Sequence, residues 1–463
     1  MPPLPTMPPM TTLLALLRVA ARAVAAPAVV TGAALFATGP AMAGAALCPA
    51  SPPAQGAPVR GAQPLLPADN WWNLDIRNAP VDANSAAYIA FIHNGGTRRL
   101  HPDFGGTESP GSVAIYGMPY AVVDATQARS VVDFFYAGES DGVGQAFYPI
   151  PQQAITQPHW VEGGAPANVD QRAGNDRHLL MIDCSQNHLY ELYNVWFDPV
   201  ALRWHAGSGA FFDLGTNQRR PEGWTSADAA GLAIFPGLVR WDEVYDDAVT
   251  DIGHAFRVTV RATNGYVWPA SHRAGSTAGA LPMGARLRLK ALVDGQDPVL
   301  RTADPYMRKI FRTLQKHGLI VADNGSDLYI TGSFDTRWNN DILNPAFRLL
   351  TASDFEVVQL GWNPVGAPPT LAGLTAPARL VGGQSASARV TLSAAAGPGG
   401  AVVALSSSSP GVLQVPASVS VAEGQTGTDF TITSARPTRA RTVTLGASWQ
   451  GKTVSAAVQV TRR

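Results

Sequence analysis

The run "RHLLMID" (177–183) carries four consecutive apolar residues and reads as a strand, and the turn residues "CSQN" lead from it into "HLYELYNVWF" (188–197). In that second run Leu189, Glu191, Tyr193 and Val195 share one face at period two, which predicts a hairpin. Similar runs recur between residues 68 and 365: "SVAIYGMPYAVV", "SVVDFFYAG", "HAFRVTVRAT", "YVWPA", "ARLRLKALV" and "LIVAD" before "DLYITGS". Asn264-Gly265 and Asn324-Gly325 stand between successive runs and read as hairpin turns. Two stretches change to helical spacing. "PVDANSAAYIAFIHNGG" offers Asp82 as N-cap and Gly95 as the stop. "ADPYMRKIFRTLQKHG" has Asp304 as N-cap, Pro305 at the first helical position, Met307, Ile310, Phe311 and Leu314 on one face, and Gly318 after the end. Many strands and few helices predict a mainly β domain, a large β-sandwich or jelly-roll with two or more helices.

From residue 366 the character changes. Ala, Val, Ser, Thr and Gly dominate, and short alternating runs such as "SARVTLS", "DFTITS", "TVTLGAS" and "SAAVQVT" are separated by turn residues. This predicts a small second sandwich over 366–463. It resembles the immunoglobulin-like modules appended to many bacterial surface and secreted proteins, a likeness that implies fold and not activity.

The first 43 residues contain no Asp or Glu, carry Arg18 and Arg22 before "AVAAPAVVTGAALFATG", and end in Ala41-Met42-Ala43. That is the pattern of a cleaved secretory signal peptide, so the mature chain is expected outside the cytoplasm with no membrane anchor. Residues 44–67 read as a Pro/Ala-rich linker. Export and an even cysteine count predict a Cys48–Cys184 disulfide.

The chain has 34 basic and 34 acidic residues, and losing the two signal arginines leaves 32 − 34 = −2. Nothing in that balance asks for nucleic acid. The tail holds eight Arg or Lys against Glu423 and Asp429, or +6, so residues 44–365 carry −8. Its basic surface suits either a spacer or a contact with anionic envelope polymers. Ten of the eleven tryptophans precede residue 366, which places any chemistry in the front domain.

Gly138-Glu139-Ser140-Asp141-Gly142 matches the G-x-S-x-G pattern but lacks the following helix that holds a nucleophilic serine on its elbow. No dinucleotide or phosphate fingerprint appears, no cysteine pair suits zinc, and the nine histidines lack metal-ligand spacing, so no cofactor or metal is expected. Asp176 and His178 fall on one strand face, the best local candidate for a metal built from distant strands; a strand-edge histidine with a carboxylate partner is the plainer reading. Glu191 lies among apolar neighbours, which raises a carboxyl pKa and suits a general acid; pairing with Arg257 or Arg288 is the structural alternative.

"RPEGWTSADAAGLAIFPGLVRWDEV" (220–244) is the richest stretch. Ser226, Asp228 and Gly231 fit a single capped helical turn, with Asp228 favoured by the helix dipole. Trp224, Glu222, Asp242 and Glu243 are left over, and aromatic faces beside carboxylates are what a sugar-binding cleft uses. The reading is one cleft with Glu191, Asp228 and His254 as catalytic groups and Trp224, Trp268, His272, Asp176, His178 and Arg286 as substrate contacts.

The strings "DRHLLMIDCSQNHLYELYNVW", "WHAGSGAFFDLGTNQRRPEGWTSADAAGLAIFPGLVRWDEV", "YVWPASH", "LPMGARLRLKA" and "GLIVADNGSDLYITG" together resemble an uncharacterised family of secreted bacterial and fungal β-rich proteins. The resemblance implies a portable front unit, found with and without an immunoglobulin-like partner, and no particular activity. The expected function is a monomeric secreted glycoside hydrolase or polysaccharide lyase acting on extracellular polysaccharide; the alternative is a non-catalytic glycan-binding envelope or adhesion protein.

Overall fold

The structure is a computed structural model that describes residues 48–59, 65–106, 115–163, 176–364, 366, 369–396, 400–422 and 425–462. The expected signal peptide, residues 1–43, lies outside these residues. The chain is mainly β, as its alternation predicted. Up to residue 357 the strands are β1 Ala54–Gln55, β2 His101–Asp103, β3 Tyr120–Val123, β4 Val132–Phe134, β5 Leu179–Asp183, β6 His188–Tyr193, β7 Trp196–Asp198, β8 Arg203–Ala206, β9 Ser208–Asp213, β10 Phe256–Val260, β11 Arg286–Leu289, β12 Leu319–Asn324, β13 Tyr329–Thr331 and β14 Phe355–Val357.

They form a five-stranded sheet in the order β1-β3-β5-β6-β9, a six-stranded sheet in the order β14-β11-β12-β10-β13-β2, and a three-stranded sheet β4-β8-β7. Leu180, Ile182 and Leu189 of the five-stranded sheet join one core with Phe256, Val258, Leu287 and Ile320 of the six-stranded sheet. Leu179, Met181, Tyr190 and Leu192 point the other way, into a second core with Val132, Trp204 and Ala206 of the three-stranded sheet. With apolar cover on both faces β5 has no polar side to show, which is why its sequence is a continuous apolar run. Glu191 shares the parity of Leu189 and so faces the core between the two large sheets.

The β5–β6 hairpin forms as the sequence predicted, with Leu180 opposite Glu191. The Asn-Gly turns do not close hairpins. β10 lies between β12 and β13, parallel to the first and antiparallel to the second, so the turn after Asn324 spans a central strand. After Gly265 no strand forms; Tyr266 makes an isolated bridge to Met283, and Pro269 has no N–H for a ladder.

The helix Pro305–Lys316 starts as expected, with the Asp304 carboxylate accepting from the backbone N–H of Tyr306 and Met307. Met307, Ile310, Phe311 and Leu314 enter the main core. The earlier helix, Ser85–His93, has Asn84 and the left-handed Asn94 at its end positions rather than Asp82 and Gly95, and Asn84 makes no side-chain cap bond. Asp82 instead accepts from the N–H of Asn84 and Leu360. Cys48 and Cys184 are disulfide-bonded, joining the segment of β1 to the end of β5. Among the described residues no helix is long and apolar enough to cross a membrane.

Residues 371–461 form two further sheets, one of four strands and one of five, around a core of their own. Strand Ser385–Leu392 shows why: Ala388, Val390 and Leu392 are buried at period two while the residues between them face outward.

Candidate functional site

Polar side chains converge where the two large sheets face each other. Arg257 projects from β10 between Asp228 and Thr331. Its Nε donates to Asp228 Oδ2 at 2.7 Å, Nη2 to Asp228 Oδ1 at 2.9 Å and to Asp323 Oδ2 at 3.2 Å, and Nη1 to Thr331 Oγ1 at 2.7 Å. Asp323 comes from β12, and Asp103 from β2, where it pairs in register with Thr331. Across the gap the His178 ring donates from Nδ1 to Glu162 Oε2 at 2.5 Å and from Nε2 to the Ala227 carbonyl at 3.0 Å. Glu191 accepts from the backbone N–H of Ile234 and Phe235 at 2.8 to 3.0 Å.

Asp103, Glu162, Glu191, Asp228 and Asp323 thus gather around the two cations His178 and Arg257, so the charge of each cation stabilises or competes with its neighbours. Burial and the nearby Asp228 charge push Asp323 up to about 7, with Arg257 partly opposing them. Glu191 also rises to about 7, through burial that the two backbone N–H groups offset only in part. Asp103 is raised by burial and by the Glu162 charge. Glu162 moves the other way: burial disfavours its charge, but His178 outweighs that and holds the carboxyl below its ordinary range. Burial would lower His178, yet Glu162 drives it up to about 9, so the imidazole is a cation at neutral pH.

Exposure divides the cluster into two layers. Glu191 and Asp228 are 0 % and 1 % exposed. The side chains of Glu162 and Asp323 are each 23 % exposed. Tyr193, partly buried, lies beside the cluster: its ring is 5.7 Å from His178, and burial together with the charges of Asp176, Asp323 and Glu162 raises its phenol pKa.

This placement corrects the expected cleft. Glu191 and Asp228 do come together, since Asp228 raises the pKa of Glu191. They are sealed inside, and both oxygens of Asp228 are spent on Arg257, so neither meets a substrate. Glu191 pairs with neither Arg257 nor Arg288; Arg288 binds Glu356. His254 lies elsewhere, its Nε2 facing the Glu243 carboxylate at 3.1 Å, beside a cavity of about 20 Å³ also lined by Leu66, Pro236 and Arg240. Trp268 packs edge-on to Trp71 at 6.4 Å, with the Arg286 guanidinium 6.0 Å from its ring centroid. Arg286 is buried, donates to the Trp71 carbonyl, and is lowered to about 9 by burial. Trp224 lies under Arg220, and His272 bonds the Ala229 carbonyl. Asp176 is exposed and is not on a strand face with His178, because Arg177 takes a left-handed conformation (φ 50°) before β5 begins.

The 220–244 stretch is no capped helical turn at Ser226. The Ser226 hydroxyl accepts from the N–H of Asp228 and donates to the Leu232 carbonyl, folding an irregular loop. Gly231 (φ +72°) is required there, since a Cβ would collide with Ser271 Oγ. Glu139 accepts from the Thr225 N–H, and Asp141 pairs with Arg220, so the Gly138–Gly142 loop anchors this segment. Ser140 is itself consumed, donating to the Tyr136 carbonyl and accepting from the Gly209 N–H.

Asp103, Glu162 and Asp323 escaped the sequence reading. Asp323 closes the apolar run "LIVAD", the same signal that singled out Glu191. Asp103 and Glu162 sit in "HPDFG" and "WVEGG", where nothing local marks them. Among the described residues no group of three or more His, Cys, Asp or Glu is arranged to hold a metal ion.

No family model matches the chain, and no curated protein matches it. Solved structures align with parts of it. A superoxide reductase (neelaredoxin) from Ignicoccus hospitalis is 12% identical over 21% of this chain and 80% of that chain, with TM-score 0.15. A mutant complex of titin M10 and obscurin-like 1 Ig is 24% identical over 21% and 95%, also with TM-score 0.15. Salmonella alpha-2-macroglobulin reacted with methylamine is 13% identical over 61% of this chain and 19% of that chain, with TM-score 0.16. Likeness at this level carries no functional argument.

Proposed function

We propose that the front domain is a secreted glycoside hydrolase acting on an extracellular polysaccharide, with Asp323 as general acid and Glu162 as general base. The observation that carries this is the divergence of two partly exposed carboxyl groups in one cluster: Asp323 is raised to about 7 while Glu162 is held ionised by His178. Environments that push the carboxyl groups of one site apart in pKa distinguish an acid from a base. In the step proposed, Glu162 takes a proton from water as the water oxygen bonds to the anomeric carbon. The glycosidic C–O bond breaks, and Asp323 protonates the departing oxygen. Solvent then returns the proton from Glu162 to Asp323. Arg257, fixed by Asp228, holds Asp323 in place, and His178 keeps Glu162 charged; these are positioning residues.

The test is to incubate the mature protein with a panel of polysaccharides and measure new reducing ends and unsaturated products. Hydrolysis yields the first without the second. Asp323→Asn and Glu162→Gln should each lower the rate about 100-fold or more with the circular dichroism spectrum unchanged. Unsaturated products would mean lyase chemistry instead, and binding without cleavage would favour the non-catalytic glycan-binding reading.

A further inference from the structure

Phe135 and Tyr136 are exposed in a way the core does not explain. Phe135 is 82 % and Tyr136 47 % exposed, with Val131 and Val143 nearby in the chain at 40 % and 46 %. Removing aromatic surface from water is favourable, so an exposed pair held in one arrangement marks a contact surface. The arrangement is fixed. The backbone N–H groups of Phe135 and Tyr136 donate to the carbonyls of Ala206 and Gly207, at 3.0 and 2.8 Å. The two rings meet edge to face with centroids 4.8 Å apart, and the Tyr136 carbonyl accepts from Ser140 Oγ.

The pair is connected to the carboxylate site. Gly207 lies under the Tyr193 ring, so closely that a Cβ there would fall 2.7 Å from Cδ1. Tyr193 in turn stands beside His178 and within the fields of Glu162 and Asp323. Phe135 and Tyr136 are therefore held on the segment that packs under Tyr193, the aromatic residue beside the proposed acid and base. The exposed rings are apolar, and the Tyr193 phenol next along feels the Glu162 and Asp323 carboxylates. That combination suits a pyranose, whose C–H face packs on an aromatic ring while its hydroxyls bond polar groups.

We infer that Phe135 and Tyr136 form a sugar-binding subsite outside the cleavage point, so that the enzyme engages several consecutive residues of a polysaccharide chain and cuts within it. This rests on the hydrolase reading above and adds the substrate class: a polymer or long oligosaccharide rather than a disaccharide.

The experiment compares the wild-type protein with Phe135→Ala/Tyr136→Ala on the polysaccharide it cleaves best and on the shortest oligosaccharide it accepts. Loss of stacking worth about 1.5 kcal/mol converts to about a tenfold change. The double variant should therefore lose about tenfold or more in kcat/KM on the polymer, through KM, and stay within about twofold on the short substrate. It should also release products of intermediate length from the polymer more slowly. Equal loss on both substrates, or no loss on the polymer, overturns the subsite. Failure of the wild-type protein to cleave any polysaccharide overturns the hydrolase reading, and the subsite with it.

Discussion

Asp228 and Arg257 are nearly sealed from water, so each charge depends on the other for the solvation it lost. Asp228→Asn leaves the guanidinium with Asp323 as its remaining close carboxylate, and we expect a loss of about 3 kcal/mol in urea unfolding of the front domain. A change of only a few tenths of a kcal/mol would contradict this account of the pair. The same pair shows what a local pattern can and cannot say. Period-two alternation puts Glu191 in the core, and the structure agrees. It cannot say what Glu191 meets there, because Ile234 and Phe235 arrive from a loop more than forty residues away. Asp323 was equally visible at the end of its apolar run, whereas Glu162 acquires its character only from His178.

The elements that position these groups obey different rules. Helix Pro305–Lys316 and the β5–β6 hairpin were legible because cap, turn and periodicity are all local. The β10–β12–β13 order was not, since inserting a strand between two others leaves no mark on the turn that joins them. That insertion is what sets Arg257 beside both Asp323 and Thr331. The cysteine pair was legible from the expected export and the even count. It closes a separation of 136 residues, for which the chain-entropy model gives about 5 kcal/mol. Cys48→Ser should lower the unfolding free energy by up to about that amount, and added reductant should destabilise the wild-type protein but not the variant. Equal unfolding curves for all of these would show that the bond contributes nothing to stability.

At the scale of the whole molecule, the front cores and the tail core are built from separate sets of residues. Every group of the carboxylate cluster and the aromatic pair precedes residue 366, so a chain ending at Pro364 should stay folded and keep its activity. Loss of activity in such a chain, while still folded, would assign the tail a part in the site. The composition change at residue 366 precedes strands that pack around a core of their own, while the cluster itself, drawn from β2, β6, β10, β12 and several loops, exists only once the sheets face each other. Within that cluster Asp323 is proposed to act as the acid in its protonated form, and the pH dependence of kcat/KM on the cleaved polysaccharide tests this most directly. With Asp323 at about 7, the active protonated form declines as pH rises through that value, so the rate should fall about tenfold per pH unit above it. On the acid side the rate should hold until pH drops below the ordinary carboxylate range, where Glu162 gains a proton. A rate that stays level or climbs from pH 7 to 9 would contradict the assignment of Asp323.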